Sequence, residues 1–227
     1  MIEVKDLTKT YSIDGQSLKA VDHVSFSANK GDMVSIMGHS GSGKTTLLSL
    51  VGGLTKPDSG QVLINETDLW SMDDDRLSEF RNKKINFIFQ FSSLIPTLTS
   101  LENVMLPTAF GNYSKNVREY SRELLKIVGL EDKMNAYPSH LSGGQQRRVA
   151  IARAFVNDPE IILADEPTGD LDEETEREVI MLFHRMNEEK GITFLIVTHD
   201  ADVAAEAKRQ FKMSNGVCFG CEIPPQK

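Results

Sequence analysis

The feature that most constrains this chain is a glycine-rich segment that fits the pattern G-x-x-x-x-G-K-[ST] in full. It reads Gly38-His39-Ser40-Gly41-Ser42-Gly43-Lys44-Thr45. Glycines let the backbone wrap so that its N–H groups point at phosphate oxygens, and a following helix adds its positive end. The pattern therefore predicts a strand over 33–37, a phosphate-binding loop and a helix over 44–51. The predicted nucleotide-binding residues are Gly38, Ser40, Gly41, Ser42, Gly43, Lys44, Thr45 and Thr46.

Two side chains of this loop and two later carboxylates predict phosphoryl chemistry. Lys44 would supply a movable positive charge for the β- and γ-phosphates, and Thr45 a hydroxyl for Mg²⁺. An apolar strand over 161–165 ends in Asp165 and Glu166. If that strand lies beside the one before the loop, Asp165 reaches the Mg²⁺ shell and Glu166 polarises the attacking water.

Composition bounds the kind of protein. The 227 residues are 40% hydrophobic and 26% charged, which is typical of one large or two small globular domains. The net charge of −8 argues against a protein whose main role is to neutralise nucleic-acid phosphates. We expect no membrane-spanning helix and no signal peptide. Cys218 and Cys221 are expected as reduced, unligated thiols, with a metal shared between two chains or a redox role as the alternative.

The apolar patterning predicts an α/β chain with one helical interruption. Antiparallel strands are expected over 2–28 around a turn at Asp14-Gly15, and a later hairpin turn at 214–216. The other predicted strands are Val62–Ile64, Ile85–Phe89, Ile161–Asp165 and Thr193–Thr198. Between about 91 and 140 the pattern is helical and without strand signals, which predicts a small helical subdomain inserted into the core.

A pentapeptide before a predicted helix over 146–156 identifies a family. Leu141-Ser142-Gly143-Gly144-Gln145 begins with a good N-cap residue, yet its two glycines would weaken a first helical turn and instead permit close approach of a phosphate. The chain resembles the nucleotide-binding subunits of ATP-binding cassette (ABC) transporters, whose signature motif these residues match. The resemblance extends over essentially all of residues 1–227, and it implies a single nucleotide-binding domain with a P-loop NTPase (RecA-like) core.

Four further positions match motifs of this family in the family's order. Tyr11 falls where the family has an adenine-stacking aromatic residue, and Gln90 matches the glutamine that reaches the metal. Leu171-Asp172 matches the end of the D-loop, and His199 matches the histidine that faces the γ-phosphate. Asp170 departs from the asparagine or alanine common in related chains. The difference affects the detailed contacts expected at the dimer interface and not the expected ATPase activity.

The resemblance implies a Mg²⁺-dependent ATPase that works as a head-to-tail dimer. ATP would lie between the loop of one copy and the residues Ser142, Gly143, Gly144 and Gln145 of the other. Glu166 would activate water, with Lys44, Gln90 and His199 completing the catalytic set. The metal ligands would be Thr45, Gln90 and Asp165.

Three other stretches resemble one branch of the family. They are Gly52-Gly53-Leu54, the run from Phe89 to Val104, and the run from Pro167 to Asp172. That branch contains lipoprotein-releasing, macrolide-exporting and bacitracin-type peptide exporter ATPases, together with a cell-division ATPase. The resemblance implies a homodimer at the cytoplasmic face of the membrane, held there by a permease with an extracytoplasmic domain. A regulatory ATPase without transport remains the main alternative. An importer subunit, or an ATPase acting on DNA or ribosomes, fits less well.

An apolar group after Gln90 admits two interpretations. Phe91, Leu94, Ile95 and Leu98 either pack inside the helical subdomain or form part of a groove for a permease helix. We favour the groove for at least two of them.

Overall fold

The computed structural model describes residues 2–13, 15–111, 113, 116–169 and 171–220. Its strands are β1 (Ile2–Ile13), β2 (Gln16–Ala28), β3 (Met33–Met37), β4 (Ser59–Ile64), β5 (Thr67–Asp68), β6 (Ile85–Ile88), β7 (Ile161–Asp165), β8 (Thr193–Thr198), β9 (Arg209–Ser214) and β10 (Val217–Phe219). Its α-helices are α1 (Lys44–Val51), α2 (Asp74–Lys84), α3 (Ser100–Met105), α4 (Val117–Ile127), α5 (Gly143–Phe155), α6 (Glu173–Lys190) and α7 (Ala201–Ala205).

The strands form two sheets of different character. A four-stranded antiparallel sheet has the order β2-β1-β4-β5, and β1 pairs with β2 as a hairpin. A six-stranded sheet has the order β10-β9-β3-β8-β7-β6, and all its pairings are parallel except the one between β9 and β10. The predicted α/β core with an N-terminal antiparallel β subdomain is therefore confirmed.

Parallel pairing brings the functional strand ends to one edge. Ile36 lies opposite Val197, and Val197 lies opposite Asp165 in the next pair. The chain therefore leaves β3, β8 and β7 at the same carboxyl edge, where ligands bind in open α/β sheets.

The inner strands β3, β7 and β8 of the six-stranded sheet are buried on both faces, so apolar residues fill most of their positions, whereas burial alternates along β9. In β7, Ile162 and Ala164 pack with α5 and α6, whereas Ile161 and Leu163 pack with α1 and the small sheet. The two faces thus carry separate cores, and each core fixes the sheet from its own side. The predicted loop and the carboxylates of β7 lie on this rigid support.

A group of helices packs beside the sheet, as the sequence predicts. Helices α3, α4 and α5 contact one another. Within the described part of 91–140 no strand is present. Helix α3 begins with a capping box in which Thr99 and Glu102 satisfy each other's backbone N–H groups.

Three predicted boundaries are wrong by a few residues. Helix α5 begins at Gly143 rather than at residue 146, because Ser142 and Gln145 form a capping box that draws both glycines into the first turn. Strand β4 begins at Ser59 rather than at 62, where Gly60 adopts a φ of +88°. Strand β6 ends at Ile88, since the carbonyl of Phe89 turns away to accept a hydrogen bond from helix α5.

The C-terminal hairpin agrees with the predicted turn and corrects the prediction for the cysteines. Asn215 and Gly216 both have positive φ angles, as a two-residue turn between β9 and β10 requires. Cys218 in β10 is disulfide-bonded, so the expectation of reduced thiols is wrong there. A C-x-x-C spacing suits such chemistry, and Gly220 turns the chain with a φ of +77°. Cys221 and Asp170 lie outside the described residues.

None of the described helices combines the length and apolar character needed to cross a membrane.

Candidate functional site

The N-terminus of α1 differs from those of the other described α-helices. Its N-cap is Gly43, which provides no side-chain hydrogen bond, and its first turn has no acidic residue. The other six described α-helices are capped by the side chains of Asp73, Thr99, Asn116, Ser142, Asp172 and Asp200. The first N–H groups of a helix have no intrahelical acceptor. Those of α1 are therefore available to an anion, and the dipole favours one.

The glycines of the loop are required by close backbone contacts. A β-carbon at Gly43 would lie 2.0 Å from the carbonyl oxygen of Ala20, and Gly43 has a φ of +104°. A β-carbon at Gly38 would lie 2.4 Å from the carbonyl oxygen of Met213. The loop is therefore clamped between β2 and β9, which fixes the direction of its N–H groups.

The Lys44 side chain crosses the loop and points toward the carboxylates. It is only 7% exposed, and its Nζ donates hydrogen bonds to the carbonyls of Gly38 (2.6 Å) and His39 (3.2 Å). The same Nζ lies 3.6 Å from Oε1 of Glu166. The ammonium group is thus held between the loop and the end of β7, where the β- and γ-phosphates of a nucleotide on α1 would lie.

Asp165 has the environment of a metal ligand. It is 5% exposed, and burial raises the pKa of its carboxyl, while a hydrogen bond from the Thr45 hydroxyl opposes that shift. A divalent cation would favour the ionised carboxylate that burial disfavours. Mg²⁺ binds through one or two protein groups together with substrate phosphates and water, and the Asp165 carboxylate with the Thr45 hydroxyl provides such a pair.

Glu166, the next residue, has a strained backbone and a side chain that is fixed by hydrogen bonds. Its φ of +45° is in the left-handed region, where a residue with a β-carbon is uncommon. Its Oε2 accepts hydrogen bonds from Oγ1 of Thr198 (3.0 Å) and from the backbone N–H of His199 (3.3 Å). Nδ1 of His199 lies 2.9 Å from the same oxygen. The carboxylate is therefore aimed along the edge of the sheet toward Lys44.

These groups surround one cavity of about 750 Å³, within the usual range for a small-molecule site. The predicted residues that line it are Tyr11, Ser40, Gly41, Ser42, Gly43, Lys44, Thr45, Thr46, Gln90, Asp165, Glu166 and His199. Gly38 lies just behind, where its N–H donates to the carbonyl of Thr198. Tyr11 is far along the chain from the other motifs, yet the structure brings its ring to the same cavity.

The signature residues lie apart from this cavity. Among the described lining residues there is none from 142–145. Ser142 and Gly143 are exposed, and a β-carbon at Gly143 would have no neighbour within 4 Å. Within one chain this helix start therefore faces open space.

Sequence reasoning missed three parts of the site. Thr198 holds Glu166, and its signal was a polar residue at the end of an apolar strand. The turn at Asn215 and Gly216 lines the cavity, and Gly216 donates its N–H to the carbonyl of Ser42. Arg147 contacts the carbonyls of Gln90 and Glu166, which no local pattern indicated.

Comparisons with known proteins agree with this geometry. The ABC transporter family matches residues 21–169. The chain is 43% identical to the lipoprotein-releasing system ATP-binding protein LolD of Syntrophotalea carbinolica, over 97% of each chain. It is also 43% identical to the macrolide export ATP-binding/permease protein MacB of Syntrophobacter fumaroxidans, over 96% of this chain and 31% of that protein.

A solved structure of an ATP-binding cassette is also similar to this chain. The dimeric post-hydrolysis state of the ATP-binding cassette MJ0796, bound to ADP and Pi, is 45% identical, with a TM-score of 0.90 over 95% of each chain. With a matching family, relatives of nearly full length and an α1 terminus open to phosphate, the chain belongs to the ABC transporter family as an ATP-hydrolysing subunit that binds ATP with Mg²⁺.

Proposed function

We propose that this chain powers a membrane permease for export or extracytoplasmic remodelling, with a lipoprotein, antibiotic or peptide as cargo. The observation that supports ATP hydrolysis is that four groups surround one cavity: the uncapped N-terminus of α1, Lys44, Asp165 and Glu166. The relatives named for lipoprotein release and macrolide export support the assignment to this branch.

The cavity has groups suited to both ends of an ATP molecule. The phosphates bind the N–H groups of the loop and of the first turn of α1, and the base lies against Tyr11 at the other end. Lys44 leaves the carbonyls of its own loop to bind the terminal phosphates. Thr45, Gln90 and Asp165 would hold Mg²⁺, which would offset the negative charge of the phosphates.

Hydrolysis depends on Glu166. Its carboxylate accepts a proton from a water molecule whose oxygen attacks the γ-phosphorus, and the bond to the β-phosphate oxygen breaks to release ADP. Thr198 and His199, which already contact this carboxylate, keep it aimed at the water. His199 is exposed and lines the same cavity, so its ring would also face the γ-phosphate.

A second copy completes the site. The start of α5, with Ser142 and Gly143 exposed and Gly144 and Gln145 half-buried, would face the γ-phosphate bound by the partner. The capping box uses the N–H groups of Ser142 and Gln145, so those of Gly143 and Gly144 would bind the phosphate. Two ATP molecules are then held in a homodimer, as expected from the dimeric structures of the related cassette.

Residues 1–227 form a single nucleotide-binding domain in which about 91–140 is the helical subdomain. Within that range, Phe91 is 76% and Phe110 is 75% exposed. Ile95 is exposed as well, whereas Leu94 and Leu98 are half-buried, and Leu94 packs against the core. Phe91 and Ile95 are exposed within four residues of each other, and neighbouring exposed apolar side chains are typical of a partner interface. A permease with an extracytoplasmic domain is the proposed partner, and it holds the chain at the cytoplasmic face of the membrane.

The experiment is an affinity purification of tagged Glu166→Gln from detergent-solubilised membranes in the presence of Mg–ATP. Lys44→Ala, which loses the phosphate contact, is the matched control. A stoichiometric permease with a large extracytoplasmic domain is expected, and its identity separates an exporter from a regulatory system that signals without transport. Recovery of ribosomes or soluble proteins alone would contradict the proposed partner while leaving the ATPase intact.

A further inference from the structure

Arg147 is a buried arginine in the second turn of α5 whose guanidinium reaches two loops of the nucleotide site. It is 3% exposed. Nε donates to the carbonyl of Pro167 (2.9 Å), and one terminal nitrogen donates to the carbonyl of Glu166. The other terminal nitrogen donates to the carbonyls of Phe89 and Gln90. A planar group with five N–H donors in a fixed fork is suited to hold several carbonyls at once.

The two loops that Arg147 joins carry different parts of the chemistry. One follows β6 and bears Gln90, and the other follows β7 and bears Glu166. Glu166 has the left-handed backbone described above, a conformation that persists only when its surroundings hold it. The hydrogen bond from Arg147 to the Glu166 carbonyl supplies part of that hold.

A second arginine of the same helix provides a comparison. Arg153 is half-buried, and its terminal nitrogens donate to the carbonyls of Ser93 and Ser92, each at 2.8 Å. Both arginines therefore attach the 89–93 segment to α5. Only Arg147 also reaches the loop after β7.

We propose that Arg147 is a positioning residue, which holds Glu166 and Gln90 in their catalytic arrangement and joins both to the signature helix. The proposal rests on the ATPase mechanism above. Arg147 is not among the described residues that line the cavity, and it acts through the backbones of Glu166 and Gln90, which do line it. Because Ser142 caps α5, a shift of that helix on contact with the partner's nucleotide would be passed to the Glu166 backbone by the Arg147 hydrogen bond.

The test compares steady-state Mg–ATP hydrolysis by the full-length wild type, Arg147→Gln and Arg153→Gln. Arg147→Gln is expected to lower kcat about tenfold or more, with KM for ATP changed by less than about threefold. Arg153→Gln removes a guanidinium that also donates to carbonyls of the 89–93 segment, and it is expected to lower kcat less than about threefold. Adding Arg147→Gln to Glu166→Gln should cost less than about a further twofold, because the residue that Arg147 positions is already inactive.

The outcomes are distinguishable. Equal losses of kcat in the two arginine variants, or a full additional loss on top of Glu166→Gln, would overturn the proposal and indicate general loosening of the helix. If Arg147→Gln does not fold, Arg147→Lys keeps the charge but donates from a single point. That variant should fold and still have a lowered kcat, and wild-type kcat in it would contradict the proposal. A wild type without ATPase activity would instead refute the proposed function.

Discussion

Gly216→Ala is expected to destabilise the chain more than Gly15→Ala, although both glycines occupy hairpin turns with nearly the same backbone. Their φ angles are +80° and +77°. A β-carbon at Gly15 meets nothing within 4 Å, whereas one at Gly216 would lie 2.7 Å from the carbonyl oxygen of Lys19. The left-handed conformation therefore costs about 1–2 kcal/mol in each variant, and only Gly216→Ala adds a backbone clash.

The additional loss in Gly216→Ala follows from two hydrogen bonds. The N–H of Gly216 donates to the carbonyl of Ser42 (3.0 Å), and its carbonyl accepts from the N–H of Asp22 (2.9 Å). Moving the turn to relieve the clash weakens both bonds, each of which contributes about 0.5–1.5 kcal/mol. The free energy of unfolding should thus fall about 1–3 kcal/mol further than in Gly15→Ala. Each kcal/mol corresponds to about 2–4 °C in Tm for a chain of this size.

Because Ser42 belongs to the phosphate-binding loop, the same change should weaken ATP binding. If about 1 kcal/mol of the loss falls on the bound state, Kd rises about fivefold. Thermal unfolding and titration with a fluorescent ATP analogue measure the two effects. Equal stability of the two variants, or unchanged ATP affinity in Gly216→Ala, would refute the view that the C-terminal hairpin supports the loop.

Two further predictions concern the core and the metal site. Phe183→Ala removes a fully buried ring that lies 5.1 Å from Phe194 and 6.4 Å from Phe155 between ring centroids. It should lower the free energy of unfolding by about 3–5 kcal/mol in urea denaturation, and a loss below about 1 kcal/mol would contradict the packing described. Asp165→Asn should raise Tm without nucleotide, because burial raises the pKa of this carboxyl and so penalises its ionised form at neutral pH. The same variant should lose Mg²⁺-dependent ATP hydrolysis, and a lower Tm with intact hydrolysis would contradict both parts.

Much of the site could be predicted because its chemistry is carried by local patterns. The loop over 38–45 specifies its own turn, and the apolar strand before Asp165 places that carboxylate at the edge of a parallel sheet. The rest depends on contacts between distant backbone groups. The carbonyls that Arg147 holds are 19–20 and 57–58 residues away, and a carbonyl carries no side-chain identity that a sequence pattern would reveal.

The errors in the fold have local causes as well. A glycine pair usually weakens a helix start, but the reciprocal bonds of Ser142 and Gln145 outweigh that cost in α5. Whether Cys218 is a thiol or part of a disulfide depends on which group its sulfur meets, and the C-x-x-C spacing alone leaves that open. Register shifts between β1 and β2 likewise have no counterpart in the alternation of apolar residues.

The most direct test of the account is the oligomeric state of Glu166→Gln with Mg–ATP, measured by size-exclusion chromatography with light scattering. A dimer is expected with ATP, because this variant cannot hydrolyse the nucleotide that holds the two copies together. A monomer is expected with ADP, which lacks the γ-phosphate. Adding Gly143→Glu should abolish that dimer. ATP binding to the loop of a single chain, and the Tm of that chain, should stay unchanged, because position 143 faces open space within one chain and an acidic first turn suits a helix. A dimer that persists in the double variant would contradict the claim that the signature helix contacts the partner's ATP.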